Sequence, residues 1–231
     1  MGGMDSIAKN LEAVRRRIEQ AAARAGRKAE DIRLMAVTKT KSSEVVEEAY
    51  RAGLRLFGEN RVQEAVEKFS NFYDDAELHI IGHLQSNKAK KAVDVARCVQ
   101  SIDKLKTAWE LEKRCAAAEK QMDIYLEYNT SGEESKSGYR DRDLFFRDIE
   151  KIAELPHLRI RGLMTIGPLT DNETEVRSAF AYLRELFEET RRRYTELDLR
   201  ELSMGMTGDF EWAVLEGSTM VRVGTALFGA R

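Results

Sequence analysis

The 231-residue chain predicts a single α/β domain, a TIM-type (β/α)8 barrel. Three features carry that expectation. Short apolar runs of strand length alternate with longer stretches of helical periodicity, which implies parallel strands joined by helical crossovers. About eight such strand segments occur, the number that closes a barrel, and no Gly-x-Gly-x-x-Gly turn marks an open dinucleotide-binding sheet. With two prolines, no linker and no low-complexity tract, the sequence offers no internal boundary, so residues 1–231 read as one domain.

The elements follow in order. Ile7, Leu11, Val14, Ile18 and Ala22 recur at helical spacing with arginines between them, and Gly26 closes the segment: the barrel opens with an amphipathic helix. Residues 32–37 form the first apolar run. Val45, Val46, Ala49 and Tyr50 then mark a helix that ends at Gly53, completing a β-α unit. Further strands are expected at 54–57, 78–81, 98–102, 124–128, 160–164, 199–204 and 220–223. The clearest later helix spans 176–194, where Phe180, Leu183 and Phe187 share one stripe against many charges.

Composition narrows the function classes. Hydrophobic residues at 42% and charged residues at 34% suit a core beneath a charged exterior. A net charge of -2 provides no basic field for nucleic acid or a membrane surface, and Lys88, Lys90 and Lys91 read as a solvated helical face. Cys98 and Cys115 lie far apart and the three histidines are scattered, so no metal site is expected. No apolar run approaches the roughly 20 residues of a membrane span, and no secretory pattern opens the chain, which points to the cytoplasm. Met1, Gly2 and Ser6 satisfy the bare N-myristoylation pattern. No polybasic stretch follows to give a second anchor, and the residues before Met4 read as an appended remnant or an alternative start.

In a (β/α)8 barrel the strand ends and the loops after them build the active face. Lys39 follows the first strand in Ala36-Val37-Thr38-Lys39-Thr40-Lys41, and alternation sends Val37 and Lys39 the same way, toward the barrel interior, with Lys41 in the loop. Lys39 is either a working amine or a solvated strand-end lysine. Asn60 in Phe57-Gly58-Glu59-Asn60 either faces a ligand or caps a helix over 61–68 with Gln63 as its capping-box partner, and the capping role is the simpler reading of the segment alone. His83, in Ile81-Gly82-His83-Leu84-Gln85, is a proton shuttle or a polar rim residue; with no carboxylate identifiable by spacing, the rim is the simpler reading.

The most specific local signal lies near the other end of the chain. Ser203-Met204-Gly205-Met206-Thr207-Gly208 and Gly224-Thr225 follow the last two strands, where barrels often bind phosphate through glycine-freed N–H groups, hydroxyls and a helix N-terminus. Paired with Lys39, this points to a small phosphorylated carbonyl compound. Arg222 on the last strand is turned by alternation opposite to Val221 and Val223, and a buried arginine needs a partner, either a carboxylate in a structural ion pair or the ligand.

Taken together, these segments closely resemble the YggS/PROSC family of pyridoxal 5'-phosphate (PLP) homeostasis proteins. The resemblance also runs through Glu134-Ser135-Lys136-Ser137-Gly138, Gly162-Leu163-Met164 and Gly217-Ser218-Thr219-Met220-Val221-Arg222-Val223-Gly224, and covers almost the whole chain. It implies a barrel like the N-terminal domain of alanine racemase, with PLP held as a Schiff base on Lys39. It also implies a phosphate cradle at Ser203, Gly205, Met206, Thr207, Gly224 and Thr225, Arg222 facing the pyridine nitrogen, and Asn60 beside the lysine side of the ring. Thr207 stands where serine is commoner and keeps the hydroxyl. An arginine keeps the ring nitrogen unprotonated and the ring a weaker electron sink.

The resembled racemases take a second base, a tyrosine, from a further domain; Tyr128 reads as barrel packing. The resulting expectation is a monomeric, non-enzymatic holder of PLP that buffers it or hands it to PLP-dependent apoenzymes. The alternative is a racemase-type PLP enzyme using His83 or water as second base. A nucleic-acid module using Lys88, Lys90 and Lys91 is the remaining rival. Lys136 either touches a ligand or partner or is a solvated loop lysine.

Overall fold

Eight parallel strands close into a barrel in sequence order: β1 (Arg33–Val37), β2 (Leu56–Glu59), β3 (Glu77–Ile80), β4 (Cys98–Ile102), β5 (Met122–Glu127), β6 (Leu158–Met164), β7 (Glu201–Ser203) and β8 (Met220–Val223). The closing pair is β1 with β8, in register at Met35 and Arg222. This computed structural model describes residues 4–229. Met1 and Gly2, the core of the myristoylation pattern, lie outside the described residues.

Helices alternate with the strands and form an outer ring: α1 (Met4–Arg24), α2 (Ser43–Arg51), α3 (Val62–Phe69), α4 (Ala89–Val95), α5 (Leu105–Ala117), α6 (Arg142–Ala153), α7 (Glu173–Arg193), α8 (Phe210–Leu215) and α9 (Thr225–Phe228). The apolar stripe of α1 buries Ile7, Leu11, Val14 and Ile18. On its polar side Arg17 makes a two-pronged pair with Glu211 of α8, at 2.8 and 2.7 Å, which fixes α1 beside the end of the barrel chain.

Strand ends differ from the sequence expectation where turn chemistry intervenes. The expected 54–57 strand begins later, at Leu56, because the N–H of Leu54 closes α2 on the carbonyl of Ala49 and Gly53 takes a φ of 98°. The expected 199–204 strand shortens to Glu201–Ser203.

Two apolar layers result. The outer one, between strands and helices, includes Phe57, Phe145, Phe180 and Phe210, all fully buried. The inner one fills the lumen with Met35, Leu56, Cys98, Tyr125, Met164 and Met220. At the N-terminal end of the barrel an ion-pair floor joins strands: Arg33 reaches Glu77 at 2.6 Å and Glu201 at 3.3 Å, and Arg159 reaches Asp123 at 2.8 Å. Tyr128 packs outside the lumen against Phe145 and Tyr182, as expected of barrel packing. Both cysteines are buried and unpaired. Among the described residues no helix is long and apolar enough to cross a membrane.

Candidate functional site

A cavity of about 380 Å³ opens at the C-terminal ends of the strands. Lys39 enters it from just beyond β1, Asn60 from beyond β2, Gly82 and His83 from beyond β3, and Glu127 from the end of β5. Lys136 arrives from the loop after β5, Met206 and Thr207 from the loop after β7, Arg222 from β8, and Gly224 and Thr225 from the turn after it. Seven of the nine ligand-binding residues expected from sequence thus share one cavity: Lys39, Asn60, Met206, Thr207, Arg222, Gly224 and Thr225. Val37 lines it beside Lys39, as strand alternation requires.

The peptide on either side of Lys39 is pinned. Buried Thr38 donates its hydroxyl to Glu59 Oε1 at 2.6 Å, and its carbonyl accepts from Lys68 Nζ at 3.0 Å. Lys68 pairs in turn with Glu59 at 2.9 Å and Glu64 at 3.2 Å. Desolvation pushes the Glu59 carboxyl above the usual range, while Thr38 and Lys68 oppose that rise. On the other side, Thr40 takes a left-handed φ of 64°, unfavourable for a β-branched residue, and its N–H is held by Glu64 Oε2 at 2.8 Å. These contacts fix where the Lys39 side chain leaves the strand. Its own Nζ has no hydrogen-bond or ion-pair partner among the described residues, so the amine stands free in the cavity.

Asn60 is not the helix cap. Helix α3 starts at Val62 with Arg61 in the cap position and no side-chain cap hydrogen bond. The reason is a close crossing of backbones: a Cβ added to Gly82 would lie 2.3 Å from the carbonyl oxygen of Asn60, so only glycine lets these two loops touch. The contact holds Asn60 at the cavity wall with its half-buried amide uncommitted among the described residues.

Two residues expected in the phosphate cradle, Gly205 and Ser203, lie off the cavity. Gly205 adopts a φ of 94°, and a Cβ there would meet Ala213 Cβ at 2.6 Å; it makes the turn that delivers Met206 and Thr207 but does not itself line the cavity. The Met206 N–H is committed to Asp209 Oδ1 at 2.5 Å. Thr207 Oγ1 accepts from the N–H of Ala226 at 3.4 Å, tying the β7 loop to the start of α9. Ser203 does not reach the cavity either: it is fully buried, accepting from Arg222 Nη1 at 2.8 Å and donating to Gln100 Oε1 at 2.7 Å. Of the residues expected in the cradle, Met206, Thr207, Gly224 and Thr225 line the cavity, and the first turn of α9 begins at Thr225.

Arg222 makes no ion pair among the described residues. Its Nη2 donates to the carbonyl of Thr165 at 2.7 Å, and with 4% exposure it faces the cavity. Desolvation lowers its pKa to about 10, against the opposing pull of Asp209 and Glu127, so it remains charged at neutral pH. Glu127, 4% exposed, has its carboxyl pushed up to about 7 by desolvation and by Asp103, with Arg222 acting in the other direction. His83 has a partner that spacing did not reveal, Asp103 Oδ2 at 3.4 Å. Lys136 is not a solvated loop lysine: it lines the cavity and binds Glu133 at 2.5 Å and the carbonyl of Gly167 at 2.7 Å.

The family model described as "Alanine racemase, N-terminal domain" matches residues 9–231. The chain belongs to that family. The pyridoxal phosphate homeostasis protein of Pseudomonas aeruginosa is 44% identical over 229 residues, covering 99% of this chain and 97% of the relative. The solved structure of PipY from Synechococcus elongatus PCC7942, with PLP bound, superposes with a TM-score of 0.84 at 34% identity, covering 96% of this chain and 100% of that one. An alanine racemase of Clostridium difficile 630 shares the fold, with a TM-score of 0.80 at 14% identity, over 98% of this chain and 60% of that one.

Within this alanine racemase N-terminal family barrel, Glu127 and Ile166 line the cavity from outside every motif singled out in the sequence. Glu127 was legible there: alternation along Ile124-Tyr125-Leu126-Glu127 puts the acid on the same inward side as Tyr125. Ile166 was not, since a lone isoleucine in a loop carries no signal until the fold places it in the cavity.

Proposed function

We propose that this protein binds PLP in the barrel mouth and acts in PLP homeostasis, holding the cofactor reversibly rather than catalysing a reaction with it. The observation that carries the reading is the sharing of one cavity by an uncommitted lysine amine, a charged arginine and a hydroxyl-lined helix start. The donor set fits the group. Thr207 and Thr225 with the first turn of α9 suit a phosphate, Arg222 suits an unprotonated pyridine nitrogen, and Lys39 suits an aldehyde. PLP supplies that aldehyde, which an unprotonated primary amine captures as a Schiff base with release of water.

The residues of this chain have separable tasks. The Thr38–Glu59–Lys68 network and Thr40 orient Lys39. Arg222, charged and unable to accept a proton, keeps the ring nitrogen an acceptor and so works against chemistry that needs a protonated ring. The names of relatives such as that of Pseudomonas aeruginosa, and the PLP-bound relative from Synechococcus elongatus, support the same assignment. We read the protein as a cytoplasmic monomer that passes PLP to apoenzymes; its two unpaired buried cysteines suit a reducing compartment. The test is an absorbance titration with PLP. An imine band should grow with wild-type protein and be absent from Lys39→Ala, and identical spectra would refute the assignment.

One observation favours a second reading, an amino-acid racemase: His83, paired with Asp103, offers an acid-base group at the cavity. Deuterium wash-in at the α-carbon of amino acids separates the two. A holder predicts no exchange above that caused by free PLP.

A further inference from the structure

A line of polar side chains crosses the barrel lumen beneath the cavity, where (β/α)8 barrels ordinarily place branched apolar residues. His79 of β3, Gln100 of β4 and Ser203 of β7 are each 2% exposed or less. Ser203 Oγ accepts from Arg222 Nη1 at 2.8 Å and donates to Gln100 Oε1 at 2.7 Å. Gln100 Nε2 lies 2.8 Å from His79 Nδ1. On its far side His79 Nε2 stands 3.5 Å from Glu77, which Arg33 holds from the barrel floor.

Donor and acceptor capacities give this line a direction. Arginine only donates, so Ser203 must accept from it, and its single proton goes to Gln100 Oε1. The amide nitrogen of Gln100 then faces His79, whose Nδ1 must carry a lone pair, leaving the ring proton on Nε2 toward Glu77. The opposite amide orientation would turn Oε1 toward the Met220 sulfur, which Gln100 Nε2 now approaches at 3.1 Å, and would deprive the Ser203 proton of its acceptor. Burial lowers the His79 pKa, in keeping with a neutral ring. Buried polar groups in such a place are costly unless every one is satisfied, and here each has its partner.

We propose that His79 and Gln100 are positioning residues that act through Ser203 to lock the Arg222 guanidinium in one orientation, presenting its remaining N–H groups to an unprotonated ring nitrogen in the cavity. This rests on the reading that the cavity holds PLP. It also gives Ser203 a task in place of phosphate binding: the hydroxyl sets the direction of Arg222 from below. Neither His79 nor Gln100 touches the cavity, so their effect on binding is confined to what Arg222 recognises.

The test compares PLP with its carbocyclic analogue, in which C–H replaces the ring nitrogen. Wild-type protein should prefer PLP by about tenfold or more, as for a hydrogen bond from a charged donor. Gln100→Leu and Ser203→Ala should bring that ratio close to one, whereas Thr207→Val should weaken both ligands alike. Nitrogen-15 shifts of the His79 ring in ligand-free wild-type protein should report the neutral Nε2–H tautomer. A ratio unchanged in Gln100→Leu and Ser203→Ala, or a His79 ring protonated on Nδ1, overturns the proposal. Failure of wild-type protein to bind either compound overturns the PLP reading instead, and the nitrogen-15 result alone then decides the orientation of the line.

Discussion

Glu127→Gln isolates the electrostatic tension in the cavity. The substitution keeps the size and shape of the side chain and removes its ionisable group. Burial and the neighbouring Asp103 raise the Glu127 carboxyl from 4.5 to about 7, against the pull of Arg222. Because the folded-state value is the higher one, the contribution of this group to stability is fully present below pH 4.5 and is lost as pH rises through 7. At 1.36 kcal/mol per pH unit the loss is about 3 kcal/mol. Urea unfolding of the ligand-free proteins should therefore show Glu127→Gln gaining about 3 kcal/mol on wild type between pH 4.5 and pH 8, every other titration cancelling in the comparison. An offset between the two proteins that does not vary with pH would refute the reasoning.

Three further outcomes follow from the site geometry. Lys68→Met leaves the buried Glu59 carboxylate without its charged partner and should cost about 3 kcal/mol or more in urea unfolding, part of which Glu59→Gln restores in the double variant. Gly82→Ala would put a methyl group 2.3 Å from the Asn60 carbonyl oxygen, so a loss of about 1–3 kcal/mol in stability together with weaker PLP binding is expected from thermal unfolding and titration. Thr207→Val keeps the shape of the β7 loop but removes a hydroxyl from the cradle, and should weaken PLP binding about tenfold in a spectroscopic titration with little change in unfolding midpoint.

The barrel was legible because its signal is periodic and repeated. The runs at 98–102 and 220–223 coincide with β4 and β8, and the turn of Arg222 away from Val221 and Val223 followed from alternation along the strand. Lys39, Asn60, Thr207 and Thr225 were legible through their position just after strands, since that position alone brings them to one mouth. From its own segment alone Asn60 reads more simply as a cap, because the local pattern of Asn60 and Gln63 fits a capping box while the deciding contact, with Gly82, comes from another strand loop. Ser203 lies off the cavity for a related reason. Its hydroxyl sits in a phosphate-like motif, but as the last residue of β7 it points into the lumen, where Gln100 and Arg222 claim it. The partnership of His83 with Asp103 likewise joins β3 to β4 and leaves no trace in spacing.

The central claim is that Lys39 forms the reversible covalent bond to PLP. Borohydride reduction of the PLP-loaded protein, followed by peptide mass mapping, tests it most directly. The account predicts a pyridoxyl phosphate adduct on Lys39 and its disappearance in Lys39→Ala. An adduct confined to another lysine, such as the cavity-lining Lys136, or no adduct at all, would contradict it.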